Sequence, residues 1–303
     1  MQIDGVFEGG GVRGIALAGA AAAAQESGHE FVRVAGTSAG AMVASLVAAG
    51  YRPEELREAV CKADWPGLLD PTLYTRVPGI GKHVSLMLRK GMYRGRALER
   101  TWAELLAAKG VRTFGDLPEG SLRVVATDIT HQRGVVLPEG LDRYGIEPAG
   151  FPVARAIRMS AAVPFLFVPV PLTHRHADGE TVLLADGAMA SRFPLEVLQP
   201  PEDRPIVGFR LADYGAPHDH EPIRGPITLA GAVIGAGMSA RESLPRLALE
   251  PGRVVDIPAE RDSLDFNLTS EEARDLFDAG RTAARDWFSR HDPETPSVPV
   301  PWI

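Results

Sequence analysis

The stretch FVRVAGTSAGAMVASLVAAG, residues 31–50, constrains this chain more than any other. A β-branched, apolar run stops at Gly36-Thr37-Ser38-Ala39-Gly40, and a helix-forming run begins at once. A strand that feeds a helix through so few small residues predicts a sharp turn. Gly36-x-Ser38-x-Gly40 has the spacing of a nucleophile elbow, in which strand, strained serine and helix follow one another directly. Glycine is required two positions to either side, because a side chain there would collide with the strand or the helix. The helix start adds unpaired N–H groups and a partial positive charge near the serine oxygen. A serine N-cap shares this local composition; the strand-before, helix-after context favours the elbow.

The rest of the chain repeats the alternation. MQIDGVFE reads as a strand, GGGVRG as a loop and IALAGAAAAAQESG as a helix. Helical patterns follow from Pro53, over 95–108, from Pro152 and over 227–243. SLRVVATDIT and GVVLP read as paired strands, and TVLLADGA, PIVGFRL and GRVVDIP as further strands, whereas residues 66–92 read as irregular. The last helix is announced by Thr269 and Glu272 at capping-box spacing, ahead of apolar residues with a 3.6 period. Short apolar strands between helices predict an α/β fold with a mainly parallel sheet. With no strong linker, one domain is expected over residues 1–290, and 291–303 form a proline-rich, extended tail.

Composition narrows the function classes. A net charge of −7 argues against a general nucleic-acid binder. The single cysteine, Cys61, rules out an internal disulfide framework and suits a reducing compartment. No apolar run reaches membrane-spanning length, and the first strand begins where a secretory leader would lie. The expectation is a cytoplasmic protein, or one exported without a cleavable signal.

Two further motifs carry chemistry. In EGGGVRG, Glu8 to Gly14, successive glycines leave backbone N–H groups bare at a helix start, which makes an anion site. If Ser38 attacks a carbonyl, N–H groups of this loop can hold the oxyanion, with Arg13 adding charge. Gly9-x-Gly11-x-x-Gly14 also fits a dinucleotide fingerprint, which requires an acid at the far end of the second strand. Glu30 has about the right offset but stands at the near end; the far end is GTSAG. Asp186-Gly187-Ala188 closes the strand TVLLA and reads as a carboxylate at the ligand end of a parallel strand. An ordinary Asp-Gly turn has the same residues.

GGGVRG, GTSAG and DGA, in this order and spacing, resemble the patatin-like phospholipases. VARAIRMSAAVPFLFVPV (153–170) is similar to the family's segment before its aspartate, and ATDITHQRGVVL (126–137) to its central hairpin. The likeness is good over about residues 3–190. It implies a three-layer α/β/α fold and a Ser-Asp dyad acting on lipid esters of the phospholipase A or lysophospholipase type. Ser38 would be the nucleophile and Asp186 the base. The loop Gly9-Gly10-Gly11 would be the oxyanion hole with Arg13 beside it, and Gly36, Gly40 and Gly187 the elbow and turn glycines. No metal or cofactor is required.

Other readings stay open. A general carboxylesterase or thioesterase would use the same dyad, and a nucleotide- or anion-binding protein would use only the glycine loop. A Ser-His-Asp triad would draw on His131, His174, His176, His218, His220 or His291. Residues 76–100 place seven cations against Glu99 alone, interleaved with Val84, Leu86, Met87, Leu88 and Met92. Such a segment is either a solvated face or a peripheral contact with an anionic membrane.

Overall fold

The computed structural model describes residues 1–74, 85, 86, 88–174, 179–198, 204–212 and 253–291. An eight-stranded mixed sheet runs through them. Strands β1 (Gln2–Phe7), β2 (Glu30–Thr37), β4 (Leu122–Asp128), β9 (Ile206–Ala212) and β10 (Val254–Pro258) pair in parallel, in the order β10-β9-β1-β2-β4. Strand β5 (Arg133–Leu137) pairs antiparallel with β4, as the hairpin pattern predicts. Two short strands, β3 (Gly91–Tyr93) and β6 (Phe165–Phe167), form a separate parallel pair. Three residues are too few to establish a period, so neither was foreseen.

The strand β8 (Thr181–Asp186) departs from expectation. It is antiparallel to both β4 and β7 (Val170–Thr173), so Asp186 does not end a parallel strand. Thr37 of β2 is level with Val125 of β4, and Asp186 is level with Ala126. Strand β5 occupies the other edge of β4 over the same residues. Strands β2 and β8 therefore share one edge of β4 and meet end to end. Their C-termini converge, and Ser38 follows directly on one of them.

Helices flank this sheet. They are α1 (Gly14–Glu26), α2 (Ala39–Ala48), α3 (Pro53–Cys61), α4 (Arg96–Ala107), α5 (Val153–Ser160) and α6 (Ser270–Arg290). The alanine-rich α1 is buried on every side from Gly14 to Ala24, so it is a core helix and not an amphipathic one. Its small side chains let α6 approach closely: a Cβ on Gly19 would lie 1.9 Å from Phe277 O, and one on Gly280 1.9 Å from Ala16 O. The predicted capping box starts α6, with Thr269 Oγ1 accepting from Glu272 N and Glu272 Oε2 from Thr269 N. Ala273, Phe277, Ala284 and Trp287 form its buried face. Across the sheet, Val6 and Ala35 pack with Phe193, Leu195, Leu198 and Ile206.

The expected helix over 227–243, residues 76–84 and 87 of the basic segment, and tail residues 292–303 lie outside the described residues. Among the described residues, no helix is long and apolar enough to cross a membrane.

The α1–α6 contact has no room for added atoms. Gly280→Val is expected to destabilise the fold by about 3 kcal/mol or more, because two helix backbones must separate. Urea unfolding monitored by circular dichroism measures this, and an unchanged midpoint would contradict the packing described.

Candidate active site

Ser38 joins β2 to α2 with φ 53° and ψ −121°, a backbone conformation unfavourable for any residue with a Cβ. The surroundings impose it. A Cβ on Gly36 would lie 2.4 Å from Gly40 C, and one on Gly40 2.2 Å from Phe7 O. Strand, turn and helix thus touch backbone to backbone, which only glycine at both positions permits. Ser38 N–H donates to Ser160 Oγ at 2.8 Å, and Ser160 Oγ donates to Val125 O at 2.6 Å. The last residue of α5 therefore ties the elbow to β4.

Ser38 Oγ donates to Asp186 Oδ2 at 2.7 Å. Both residues are buried, at 6% and 3% exposure. Asp186 is fixed from several sides: its Oδ1 accepts from Ala188 N at 2.8 Å, its carbonyl accepts from Thr127 Oγ1 at 2.8 Å, and its N–H donates to Ala162 O at 2.9 Å. Gly187 is needed at the turn because a Cβ would lie 2.1 Å from Val125 O. Burial pushes the Asp186 carboxyl up from 3.8 to about 6, outweighing the bonds from Ala188 and Ser38 and the field of Arg192.

The glycine loop abuts the elbow. A Cβ on Gly9 would lie 3.5 Å from Ser38 Cβ, and one on Gly14 2.6 Å from Ala39 Cβ. Gly11 adopts φ +57°, against the carbonyl of Ser263. One expected role needs correction: Gly9 N–H already donates to Arg192 O at 2.9 Å, so it is not available to an oxyanion. Among the described residues, no protein acceptor takes the N–H of Gly10 or Gly11. Arg13 is buried at the start of α1, with its Nε 3.8 Å from where a Gly10 Cβ would stand.

Arg192 was not singled out from the sequence, yet it organises this loop. Its Nε donates to Gly9 O at 3.0 Å and lies 3.4 Å from Glu8 Oε1, and Glu8 Oε2 accepts from Leu211 N at 2.5 Å. Ser160 was missed as well. A serine inside a helix and an arginine six residues after Asp186 carry no spacing signal; only the fold brings them here. The described candidate histidines lie elsewhere. His131 bonds Asp128 at 2.8 Å, His174 sits edge-on to Tyr144, and His291 stacks on Trp287. His176, His218 and His220 lie outside the described residues.

Fold and site define an α/β protein with a serine on a strained strand–helix turn, hydrogen-bonded to a buried carboxylate. The family profile for patatin-like phospholipases matches residues 5–198, and the chain belongs to that family of lipid hydrolases. It is 39% identical over 283 residues to the uncharacterized protein YqhO of Bacillus subtilis (strain 168), covering 93% of this chain and 96% of that one. To the uncharacterized protein R571 of Acanthamoeba polyphaga mimivirus it is 24% identical, covering 90% and 89%. Among solved structures, VipD from Legionella pneumophila aligns with a TM-score of 0.57 at 19% identity, over 95% of this chain and 67% of that one. The type III effector ExoU of Pseudomonas aeruginosa aligns with 0.51 at 16% identity, over 95% of this chain and 53% of its own. These two likenesses concern the fold.

The raised Asp186 value has a consequence for stability. Because the folded-state pKa exceeds the unfolded one, the stabilising contribution is complete below about 3.8 and is lost as pH rises through about 6. Asp186→Asn stays neutral throughout. Relative to wild type, it is expected to gain on the order of 2–3 kcal/mol between pH 4 and pH 7.5. Denaturant titrations of both proteins at the two pH values check this; a pH-independent difference would contradict the shift.

Proposed function

We propose that this chain is a serine acyl hydrolase that cleaves carboxyl esters of lipids, with Ser38 as nucleophile and Asp186 as base. The observation that carries the reading is the 2.7 Å bond from Ser38 Oγ to a buried carboxylate on a strained elbow. As Ser38 Oγ attacks the ester carbonyl, its proton passes to Asp186 and the carbonyl oxygen becomes an oxyanion. The N–H groups of Gly10 and Gly11, beside Arg13, are the donors we assign to that charge. Collapse breaks the ester C–O bond, and Asp186 returns the proton to the leaving alcohol. Water then attacks the acyl-enzyme and gives its proton to Asp186. The free acid departs, and Ser38 recovers the proton.

An ordinary aspartate is too weak a base for this task. A value near 6 brings Asp186 closer to the working pH, which is how burial serves catalysis. The direct contact with Ser38 leaves no place between them for an imidazole. We take residues 1–290 as the catalytic unit, since α6 packs on α1 next to the elbow. Phospholipid acyl chains are the substrates we favour, in keeping with the family; a general esterase or thioesterase would show no preference for long acyl chains.

Wild type is expected to form one adduct with a lipid-like fluorophosphonate by intact mass, and Ser38→Ala none. Hydrolysis of long-chain phospholipid should fall at least about 10³-fold in Ser38→Ala. In wild type, kcat/KM should rise with pH around a midpoint near 6, as Asp186 loses its proton. Labelling that survives Ser38→Ala would remove the assignment, as would a flat profile between pH 5 and 8 at a rate-limiting chemical step.

We further propose that the basic segment 76–100 makes peripheral contact with anionic membranes from the cytoplasmic side. Lys90 and Arg94 are exposed, and Leu88 is 60% exposed beside them. Replacing Arg89, Lys90 and Arg94 with Glu is expected to release the protein from anionic vesicles in sedimentation. Unchanged binding would reject the contact, and fractionation of cells expressing the tagged chain tests the location.

A further inference from the structure

A cavity of about 550 Å³ lies outside the dyad, bounded by β3, α4, α5 and the segment that enters β7. Among the described residues, its wall holds Arg89, Arg94, Arg96, Arg155 and Arg158 against a single carboxylate, Glu99. Asp70 stands nearby, but its oxygens accept from the backbone N–H groups of Gly95 and Arg96, at 2.5 and 3.2 Å. Glu99 is 3.8 Å from Arg155, too far for a firm hydrogen bond. Five guanidiniums facing one carboxylate give these described wall residues about +4 in a chain of −7. Concave, low-dielectric walls concentrate such a field.

Arg158 is the centre of the arrangement. It is 3% exposed, and the fold is built around it. Its Nη2 donates to Arg94 O at 2.7 Å and Val168 O at 2.6 Å, and its guanidinium lies 5.3 Å from the centroid of the Phe167 ring. Gly95, at φ +70°, passes so close that a Cβ would stand 2.1 Å from Arg158 Nε. The buried Nη1 has no hydrogen-bond partner among the described residues. Burial pulls the Arg158 pKa down to about 10, so it still carries its charge at neutral pH. A buried cation with no carboxylate bonded to it is destabilising, and two carbonyls need only a neutral donor. Among the described residues nothing supplies that counter-charge, and a bound anion would.

We propose that this cavity binds a phosphate group, held by Arg155 with Arg89, Arg94 and Arg96 at its mouth and attracted by the buried charge of Arg158 in its wall. Planar guanidiniums match tetrahedral phosphate oxygens two at a time, better than they match chloride. Leu73, 65% exposed at the rim, and Pro169 and Pro171 offer apolar surface to whatever the phosphate is attached to. The ligand is thus inorganic phosphate or the phosphate of a lipid headgroup. Neither Ser38 nor Asp186 lines the cavity, so the inference does not depend on the hydrolase assignment.

The test is binding, with no turnover involved. Thermal unfolding is followed with increasing sodium phosphate, against sodium chloride of equal ionic strength. Flotation is then measured with phosphatidylcholine vesicles, with and without phosphatidic acid. Wild type is expected to show a saturable shift in Tm specific to phosphate. The double variant Arg96→Gln/Arg155→Gln should bind at least about tenfold more weakly, the loss of one charge-assisted hydrogen bond or more. Arg274→Gln, exposed on α6 and outside both the cavity and the basic segment, should bind as wild type, and the ligand-free Tm of each variant checks its fold. No phosphate shift, but vesicle binding that needs phosphatidic acid and is lost in the double variant, would support the site with a lipid headgroup as its source. Absence of both responses, or responses unchanged in the double variant, would overturn the proposal.

Discussion

Everything at the candidate site depends on two strands that meet head to head. Strands β2 and β8 run toward each other along one edge of β4, and their ends stop level with Val125 and Ala126. Thr37 and Asp186 are thereby set at adjacent levels, and the turn after Thr37 swings Ser38 onto the carboxylate. The register of β4 sets this separation as a ruler would. Because side chains alternate faces along a strand, a slip of one residue on either side would turn a partner away. The bonds from Thr127 Oγ1 to Asp186 O and from Ser160 Oγ to Val125 O pin that register at the point where it matters.

The strain at Ser38 and the burial of Asp186 are two parts of one arrangement. An elbow at φ 53° persists because backbone presses on it from two directions, Phe7 and Glu8 through Gly40 and the start of α2 through Gly36, while Val125 confines the Asp186 turn through Gly187. The same compactness excludes water from the carboxylate and lifts its pKa. A looser turn would relax the serine and rehydrate the aspartate together. Arg192 offsets part of the effect, since it braces Glu8 and Gly9 while its charge draws the Asp186 value back down.

Much of this was legible from the residues. Glycines at 36, 40 and 187 were expected because a sharp turn excludes side chains, and backbone atoms do stand where each Cβ would be. The hairpin over 122–137 and the capped last helix declared themselves through alternation, the 3.6 period and the Thr269–Glu272 pair. The direction of β8 was not legible, because an apolar run reads alike in either sense and only pairing partners distinguish them. The commitment of Gly9 N–H to Arg192 O could not be foreseen either, since it joins residues 183 apart in the sequence. The contacts of Ser160 are likewise tertiary. As for the basic segment, its charge was visible at once, but that several of its arginines converge with Arg155 and Arg158 on one cavity was not.

The long reach of α6 has a consequence for the life of the chain. Helix α1 immediately follows the glycine loop, and its partner begins at Ser270, almost at the opposite end of the sequence. Ser263 O, which receives Val12 N–H and confronts Gly11, arrives equally late. During synthesis, Ser38 and Asp186 leave the ribosome well before either support exists. Until then an alanine-rich helix lacks its cover and the loop beside the elbow lacks its brace. A lipid hydrolase assembled in this order stays unfinished until α6 has been made.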